Sequence, residues 1–534
     1  MAGSVVDVIS SSSTKRSKLW DIFTFYTERA SMNGIVFVVD SLHINKRIFW
    51  LILLLSATGA MTFHLYSLVS KYLDYAKHSD INIGFSSLEF PAVTICNVNI
   101  MRVSKVENAS DAVQDFMNRL SQNNLETKVG QNSPENDVIV TGDESDTDEK
   151  VSMADFLDTF DDNFDFDQDN VEDSFYDANS PQSWEAVANR STITTLVENF
   201  KDVYSFMNIT DKKSVGHQLG DMLRQCSFAT RKCERNFSQS TNSDYGNCYT
   251  IQDARYVSKK NGPSGGLELI LYLEIDEYLP LITSGKGAHI VIHDKNTVPL
   301  PEEEGIAVSA GQQTMIGLKQ IKITRLGNPY VACKNVDDFY RQYKVNYTRN
   351  LCQKMCFLKQ IYNECKCLDT SYYFINVLLK INGTKTCLTS DEVKCVTRIK
   401  VSFRGDNETC GCYSPCSERI FDTYVSSRTW PNNDLLSVLV KDVCTTNVDI
   451  CQKLKNKSEL EIRENFLKLN IFYRDLNYEE LAEQPNYEIF QLLSDFGGTM
   501  GLWIGLSVLS LFEIINVISE LLYCLICNRR HRRN

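Results

Sequence analysis

Two long apolar segments, one near each end, constrain the fold of this 534-residue chain more than any other feature. The first, residues 48–70, has no formal charge and is long enough to cross a bilayer as a helix. The second, about residues 496–526, has a similar length but contains Glu513 and Glu520. A buried core helix is the alternative for each segment, and the first starts too far from the N-terminus for a signal peptide. The pattern predicts a membrane protein with two spanning helices.

Positive charges next to the two segments predict the topology. Lys46 and Arg47 directly precede the first segment, and four arginines follow the second: Arg529, Arg530, Arg532 and Arg533. Because cytoplasmic flanks carry the excess of lysine and arginine, both termini are expected in the cytoplasm. The predicted division is a cytoplasmic N-terminus at 1–47, a span at 48–70, an extracellular domain at 71–494, a span at 495–526 and a cytoplasmic C-terminus at 527–534.

Cysteines and glycosylation sequons agree with an extracellular location for the long loop. Sixteen of the 18 cysteines lie between Cys96 and Cys451, and an even number in an oxidising compartment is typical of disulfides. A metal site is the alternative, because the clusters at 365–367 and 410–416 have ligand-like spacing. All eight N-x-S/T sequons also lie in this loop: Asn108, Asn189, Asn208, Asn236, Asn346, Asn382, Asn407 and Asn456.

The formal net charge of −13 comes from one tract of the loop. Residues 141–177 hold 15 acidic residues and one lysine, a net charge of −14, so the rest of the chain carries +1. The wider segment 129–177 has no pattern of core-forming residues, which is typical of a surface loop. A nucleic-acid binder would need a basic face, so no nucleic-acid partner is expected.

Apolar spacing in the loop indicates both helices and strands, and so an α+β domain. Helical spacing occurs in the segments 109–120 and 191–207. Strand patterns occur at 88–97, 266–275, 287–294, 314–326 and 466–475. Ten cysteines between positions 333 and 416 predict a stapled region, in which Cys352 and Cys356 would share one face of a helix.

The second span carries both a glycine stripe and a polar stripe. Small residues four positions apart let membrane helices approach closely, as at Gly497, Gly501 and Gly505. Intramembrane acids normally face a bundle interior or water, so a symmetric oligomer with the polar stripe around its axis would conduct cations. On a continuous helix, the stripe occupies about a quarter of the wheel and consists of Asp495, Glu513, Asn516 and Glu520.

Ser507 does not fit this stripe. It lies about 200° from Gly505 on a continuous helix, so both can face one pore axis only if the helix breaks between them. Gly505 would permit such a break, because glycine adopts backbone conformations closed to other residues. The alternative is a plain membrane anchor whose glycines only mediate packing.

Four motifs stand in an order and spacing typical of one known family. FPAVTICN at 90–97 and GNCYTI at 246–251 resemble the strand after the first span and a Gly-x-Cys-Tyr-Thr-Phe motif. The ten cysteines at 333–416, with CGCYSPC, resemble a thumb and palm signature, and residues 487–513 resemble a second span with a Gly-x-Ser filter. Together they resemble the degenerin/epithelial sodium channel family. The resemblance implies a homotrimer with finger, thumb, palm, knuckle and β-ball regions, in which 97–226 is the finger, 129–177 its acidic insertion and 333–416 the thumb and palm region.

The resemblance assigns pore roles to residues of the second span. Gly505, Leu506 and Ser507 fall on the selectivity filter for permeant Na⁺, which is extended in the family and interrupts the helix. Asp495 falls on an acid at the outer pore mouth. Glu513 falls on a pore-lining acid below the filter.

Further positions are carried over from the same family. Asn516 stands where some relatives carry a second acid in the pore. The cytoplasmic His-Gly gating motif reads Asn33-Gly34 here, so the glycine is kept and the imidazole is lost. Amiloride, the pore blocker of the family, is expected to act near Ser494 at the degenerin position and near Gly498 and Trp503.

The resemblance also implies a disulfide pattern that cysteine spacing alone leaves open. Cys444 and Cys451 are left over and are expected to pair, from parity and proximity. The seven implied pairs are Cys96–Cys248, Cys226–Cys233, Cys333–Cys416, Cys352–Cys412, Cys356–Cys410, Cys365–Cys395 and Cys367–Cys387.

The family contains peptide-gated, proton-gated, mechanically gated and constitutively open channels, and the finger region favours a peptide. This stretch between Cys96 and Cys226 is long for a family finger and combines acidic charge with aromatics. Such surroundings suit a short cationic aromatic peptide such as FMRFamide, with the candidate contacts Phe116, Trp184, Phe200, Tyr204 and Phe206. Crowded carboxylates that titrate would instead give a proton sensor. Ordinary helix packing and a solvated loop are the plainer alternatives.

Other functional classes fit less well. An ATP-gated trimer would need a basic phosphate site and would not predict the Gly-x-Ser motif, and an adhesion protein or receptor would not need acids on one face of a span. The sequence shows no nucleophile–base constellation, no phosphate loop and no HExxH, so no enzyme and no cofactor are expected. The expected surroundings are the lipid bilayer of the plasma membrane, two further copies of the same subunit in a homotrimer, an extracellular peptide and amiloride as a blocker.

Overall fold

The computed structural model describes most of the chain and divides it into two compact units. The first unit is built from residues 1–80, 326–332 and 482–534, and the second from residues 81–325 and 333–481. The described residues are 35–40, 43–122, 192–233, 236–380 and 385–522, with single gaps at 388, 406, 447, 456, 508, 511, 514 and 517 and a gap at 520–521.

Helices occur in both units, most of them in the second. In chain order they are α1 (Ile35–Asp40), α2 (Ile44–Leu73), α3 (Asp111–Gln122), α4 (Thr192–Ser205), α5 (Ile209–Val215), α6 (Leu219–Met222), α7 (Pro301–Glu304), α8 (Val336–Tyr343), α9 (Arg349–Cys365), α10 (Tyr373–Leu378), α11 (Ser390–Ser402), α12 (Asn407–Cys410), α13 (Asn433–Thr446), α14 (Val448–Lys455), α15 (Glu459–Glu464) and α16 (Ile489–Ile504). Short 3-10 helices cover Val103–Asn108, Pro263–Gly265, Ile275–Glu277 and Thr370–Tyr372.

The strands form two larger sheets and a short pair, β2 with β8. The seven-stranded sheet has the order β13-β12-β14-β9-β4-β5, with β1 on β14, and the five-stranded sheet has the order β11-β10-β3-β7-β6. The strands are β1 (Lys77–Phe85), β2 (Leu88–Glu89), β3 (Ala92–Asn97), β4 (Leu223–Phe228), β5 (Arg231–Lys232), β6 (Phe237–Asn242), β7 (Gly246–Ile251), β8 (Val257–Ser258), β9 (Leu267–Tyr272), β10 (Gly287–His293), β11 (Ile306–Ser309), β12 (Gln312–Thr324), β13 (Ser417–Thr429) and β14 (Phe466–Pro485).

The largest core of the second unit is made by side chains from both sheets. Strand β9 shows why its sequence is a continuous apolar run. Leu269 and Leu271 point into this core, whereas Ile270 and Tyr272 belong to a second cluster with the helices α13–α15. Burial on both faces removes the polar alternation expected of a half-exposed strand. Each fully buried leucine contributes about 1.5–3 kcal/mol.

Two helical subdomains have cores of their own. Helices α3 and α4 share an aromatic and aliphatic cluster, and α9 and α11 share another. The second pair starts at defined caps: the Thr348 hydroxyl accepts from the N–H of Leu351 at 3.2 Å, and Thr389 and Glu392 form a capping box. The helices predicted at 109–120 and 191–207 are confirmed as α3 and α4, and every predicted strand segment contains a strand.

The first unit contains the two apolar segments. Helix α2 has 30 residues with none buried, and it is the one helix of the described part that is long and apolar enough to cross a membrane. The second segment forms α16 and then leaves the helical conformation. Mixed helices and sheets, many disulfides and this apolar helix fit the predicted α+β protein with a disulfide-rich domain.

Candidate ion pore and ligand cavity

The second apolar segment breaks into two helical parts at a glycine. Helix α16 ends just before Gly505, whose φ of 70° and ψ of 18° lie in the left-handed region that glycine adopts at little cost. Its N–H donates to the Gly501 carbonyl at 3.1 Å, and the N–H of Leu506 donates to the Met500 carbonyl at 3.2 Å. Helical conformation resumes among the described residues from position 509. The break that the sequence analysis required is therefore present.

This break corrects the helical wheel of the sequence analysis. On one continuous helix Asp495, Glu513 and Asn516 share a face. Residues 505–507, between the two parts, are not helical. The assumption of one continuous helix is therefore wrong for this chain, because a wheel describes only residues on one uninterrupted helix, and the pore roles of these residues stay predictions.

Ser507 starts the next helical part through a reciprocal cap with Ser510. The Ser507 Oγ accepts a hydrogen bond from the N–H of Ser510 at 3.2 Å, and the N–H of Ser507 donates to the Ser510 Oγ at 3.1 Å. This is a capping box with serine in place of the usual glutamate. Ser510 is only 1% exposed. A residue that the motif did not single out thus holds the predicted filter residue.

The acid predicted at the outer pore mouth has a tyrosine partner. Asp495 lies in the second turn of α16, and its Oδ2 accepts a hydrogen bond from the Tyr487 hydroxyl at 2.5 Å. Tyr487 precedes the helix and is 4% exposed. Hydrogen bonds to ionised groups are shorter and stronger than neutral ones, so this contact fixes the carboxylate.

The remaining predicted pore residues are available at the surface of the single chain. A methyl group added at Gly497 or Gly498 would meet no other described atom within 4 Å, so these two glycines do not serve contact with the chain's own first helix. The exposed residues are Ser494, Gly498, Trp503, Glu513 and Asn516.

Several predicted residues lie outside the described part of the chain. They are the gating motif Asn33-Gly34, the pore residue Glu520, the aromatic Trp184, the sequons Asn189, Asn382 and Asn456, and the acidic segment 129–177.

The structure contains the seven disulfides implied by the resemblance and the inferred eighth, Cys444–Cys451. The metal reading of the clusters at 365–367 and 410–416 is wrong, because each cysteine there is bonded to another cysteine. Cys352 and Cys356 both lie on α9, one turn apart, and both are bonded to the 410–412 segment. The stapled region is thus pinned by paired bonds to one helix face.

The aromatic residues predicted to contact a peptide are mostly core residues. Phe116, Phe200 and Tyr204 are at most 7% exposed and pack together between α3 and α4. The ring centres of Phe116 and Phe200 are 5.6 Å apart, in an edge-to-face contact. Direct ligand contact by these three is therefore wrong in this structure, because their periodicity reflects helix packing. Phe206 is partly buried and packs against the cluster of α9 and α11.

The predicted glycosylation sites within the described residues differ in their exposure to solvent. Asn108, Asn208 and Asn236 are exposed. Asn346 is partly buried, and its Nδ2 donates to the Lys295 carbonyl at 2.8 Å. Because a glycan is attached through this nitrogen, the hydrogen bond disfavours modification of Asn346 in the folded chain.

A cavity of about 470 Å³ in the second unit brings together three elements that are distant in sequence. Its walls come from α4, from α9, from the end of α11 with the residues that follow it, and from the shorter segments 243–244, 303 and 371–372. Two rings stand on the α9 and α11 side, where Phe357 and Phe403 meet edge to face at 5.1 Å. The α4 wall carries Glu198, Lys201 and Asp202.

Ion pairs cross this cavity. The Lys400 Nζ of α11 lies 3.3 Å from the Asp202 Oδ1 of α4, and Lys201 Nζ lies 3.0 Å from Glu198 Oε1 and 2.7 Å from Asp244 Oδ1. Burial raises the pKa of Asp202 more than Lys400 lowers it. Burial opposes the charge of Lys201, but Asp244 and Glu198 raise its pKa overall. Charged side chains therefore tie the cavity walls together.

With the break at Gly505 and the eight disulfides described, the comparison with known families is decisive. The family described as "amiloride-sensitive sodium channel" matches residues 26–517. The chain belongs to this family.

Three relatives show how far this similarity extends. An epithelial sodium channel subunit alpha from Neoceratodus forsteri is 26% identical, over 96% of this chain and 81% of that protein. A subunit beta-2 from Xenopus laevis is 25% identical, over 91% of this chain and 82% of its own length. The degenerin-like protein unc-105 from Caenorhabditis elegans is 30% identical, over 60% of this chain and 37% of that protein. Members of this family are plasma-membrane sodium channels, so this chain is not an enzyme.

Proposed function

We propose that three copies of this chain form a sodium-selective, amiloride-sensitive channel that opens when a short peptide binds outside the cell. Family membership supports the sodium channel. Lysine and arginine beside both apolar segments support cytoplasmic termini and two spans. The observation that carries ligand gating is the cavity lined by α4, α9 and the end of α11.

Assembly of several chains around one axis is proposed because a single chain has too few spanning helices to enclose a pore. Two apolar helices cannot enclose a pore, and the face with Gly497 and Gly498 is open to a neighbouring helix. In a symmetric trimer, Asp495 and Glu513 would form two acidic rings, and such rings attract cations. The relatives carry subunit names such as alpha and beta-2, so assembly with different subunits is the alternative. Expression of this chain alone distinguishes the two.

The peptide is proposed from the chemistry of the cavity. Its volume lies in the range of small-ligand sites. Phe403 is partly exposed beside the cavity, and the carboxylates of Glu198 and Asp202 stand on the α4 wall with half of each side chain accessible. A ligand with an aromatic ring next to a guanidinium, as in FMRFamide, can use both. The cavity lining holds as many basic as acidic side chains, so the guanidinium of the ligand would have to replace Lys201 or Lys400 as the partner of Glu198 or Asp202.

Voltage clamp of cells expressing the chain tests this proposal. FMRFamide should evoke an amiloride-sensitive sodium current, and Glu198→Gln should raise the half-maximal peptide concentration about tenfold through loss of a charge-assisted hydrogen bond. Asp115→Asn is the matched control, because Asp115 is an exposed helix acid paired with Arg119 outside the cavity. An equal rise of the half-maximal peptide concentration in both variants would reject peptide binding in this cavity. A channel that responds to acid but gives no current with the peptide would reject it as well.

A proton-gated channel is the second candidate, supported by carboxyls with raised pKa. Burial raises the pKa of Asp202, Glu302 and Glu304, and neighbouring Glu303 adds to the effect at Glu304. Protonation of Asp202 would remove its charge opposite Lys400 and loosen the α4–α11 contact. Current evoked by acid, and abolished by Asp202→Asn, would favour this candidate. Amiloride-sensitive current without any ligand would favour a constitutive or mechanically gated channel.

A further inference from the structure

A lysine completes the contact between Tyr487 and Asp495. Lys71 lies in the last turn of α2, and its Nζ lies 4.8 Å from the centre of the Tyr487 ring. An ammonium over an aromatic face is held by the ring quadrupole. The tyrosine therefore binds a cation through its ring and an anion through its hydroxyl.

Lys71 and Asp495 meet at the tyrosine and not in a direct ion pair. Among the described residues, no ion pair within 4.0 Å joins Lys71 to Asp495, although both contact Tyr487. Lys77, nearby in sequence, shows the usual arrangement, with its Nζ 2.5 Å from Glu483 Oε1. Lys71 and Asp495 thus keep separate charges, whereas Lys77 and Glu483 neutralise each other.

We propose that Tyr487 is a positioning residue for cation entry. Its hydroxyl holds the Asp495 carboxylate in one orientation, and its ring keeps Lys71 from pairing with that carboxylate. An entering cation then meets one undiminished negative charge per subunit at the outer end of α16. This inference rests on the proposed pore and does not depend on which stimulus opens it.

Single-channel conductance in about 20 mM and about 150 mM Na⁺ tests the proposal, since salt screens mouth charges. Tyr487→Phe keeps the ring and removes the hydroxyl, so it should lower conductance about twofold in low salt and less in high salt. In an Asp495→Asn background, Tyr487→Phe should have no further effect, because the carboxylate that it positions is gone.

A rescue experiment tests the role of the ring. Tyr487→Leu removes the ring, lets Lys71 pair with Asp495 and should lower conductance further than Tyr487→Phe. In the Tyr487→Leu channel, a second substitution, Lys71→Gln, should restore most of the lost conductance. Lys77→Gln should not restore it, because the charge of Lys77 is already paired with Glu483.

Three results would overturn the proposal: wild-type conductance in Tyr487→Phe, an equal fractional loss in the Asp495→Asn background, or equal rescue by the two lysine substitutions. A Tyr487→Phe channel that reaches the surface but never opens would also contradict it, because the hydroxyl would then serve opening. The readout is conductance per open channel, so it can be measured on peptide-evoked, acid-evoked or ligand-independent current. A failure of peptide gating is thereby distinguished from a failure of this inference.

Discussion

Single carboxylates of the second unit differ in how they respond to protons, because their surroundings differ. Glu302 is largely buried near the cavity, and burial raises its pKa above the ordinary 4.5 more than Asn242 and Lys354 lower it. Glu89 is exposed, and its hydrogen bond from Arg419, aided by Lys295, lowers its pKa. The two glutamates therefore contribute to stability in opposite pH ranges.

Substitution of these two glutamates should change thermal stability with opposite signs. When folding raises the pKa of a carboxyl, its contribution to stability is complete below the unfolded-state pKa and is lost as pH rises through the folded-state pKa. Glu302→Gln removes the buried charge and should therefore raise the melting temperature near neutral pH by about 1–3 °C. That gain should vanish below pH 4.5. Glu89→Gln should instead lower the melting temperature slightly at neutral pH, and this difference from the unsubstituted protein should disappear in acid.

Thermal unfolding of the purified, disulfide-bonded protein across pH measures both effects. A loss of stability in Glu302→Gln at neutral pH would contradict the destabilising burial of its charge. Glu89→Gln serves as the control for loss of an exposed carboxylate.

At the scale of elements, the second apolar segment shows how one backbone angle sets the arrangement of side chains. A continuous helix would place Ser507 far from the face of Gly505, whereas the left-handed glycine ends α16 and lets Ser507 cap the next part. Only glycine enters that region without a steric penalty. The filter assignment therefore depends on a backbone conformation as much as on the serine hydroxyl.

Gly505→Ala should impair the channel more than an alanine at a glycine inside a helix. A side chain at φ 70° costs about 1–2 kcal/mol and favours continuation of the helix. Sodium over potassium permeability, read from the reversal potential, should fall severalfold, or the current should be lost at normal surface expression. Gly59→Ala is the matched control, because Gly59 lies within the other apolar helix, α2, in open space. Unchanged selectivity in Gly505→Ala would show that the selectivity filter does not depend on the helix break.

At the scale of the whole molecule, net charge and channel chemistry are separate properties. The tract at 141–177 supplies a net charge of −14, which accounts for the total of −13. The acids proposed for permeation, Asp495 and Glu513, lie in the other unit. The overall acidity therefore says nothing about which ion is conducted, although it can raise the local concentration of a cationic ligand.

Deletion of residues 141–177 tests this separation. The reversal potential and the block by amiloride should stay as in the full chain. The half-maximal concentration of a cationic peptide should rise a few-fold at low ionic strength and differ little at about 150 mM salt, where charges beyond a Debye length are screened. A changed reversal potential would show that the tract acts on permeation. A variant in which a neutral linker of the same length replaces the tract controls for the loss of chain length.

Elements with strong periodicity were predictable from sequence, and contacts between distant segments were not. The strands, the helices α3 and α4 and the long apolar helix α2 follow from local spacing. The aromatic residues of α4 have the same periodicity whether they face a ligand or a core, and only their burial against α3 distinguishes the two. The cavity could not be predicted either, because Asp202 and Lys400 are brought together by packing across 198 positions.

The sequence by itself determined the family, the apolar segments, the disulfide partners through the family motifs, and the need for a helix break near Gly505. These depend on composition, spacing and local conformational preference. The tertiary structure alone decided that Ser510 caps the filter residue, that Tyr487 stands between Lys71 and Asp495, and that Phe403 rather than Phe200 lies at the cavity. Each of these depends on where a side chain points after packing, and periodicity in sequence fixes a face but not the partner that covers it.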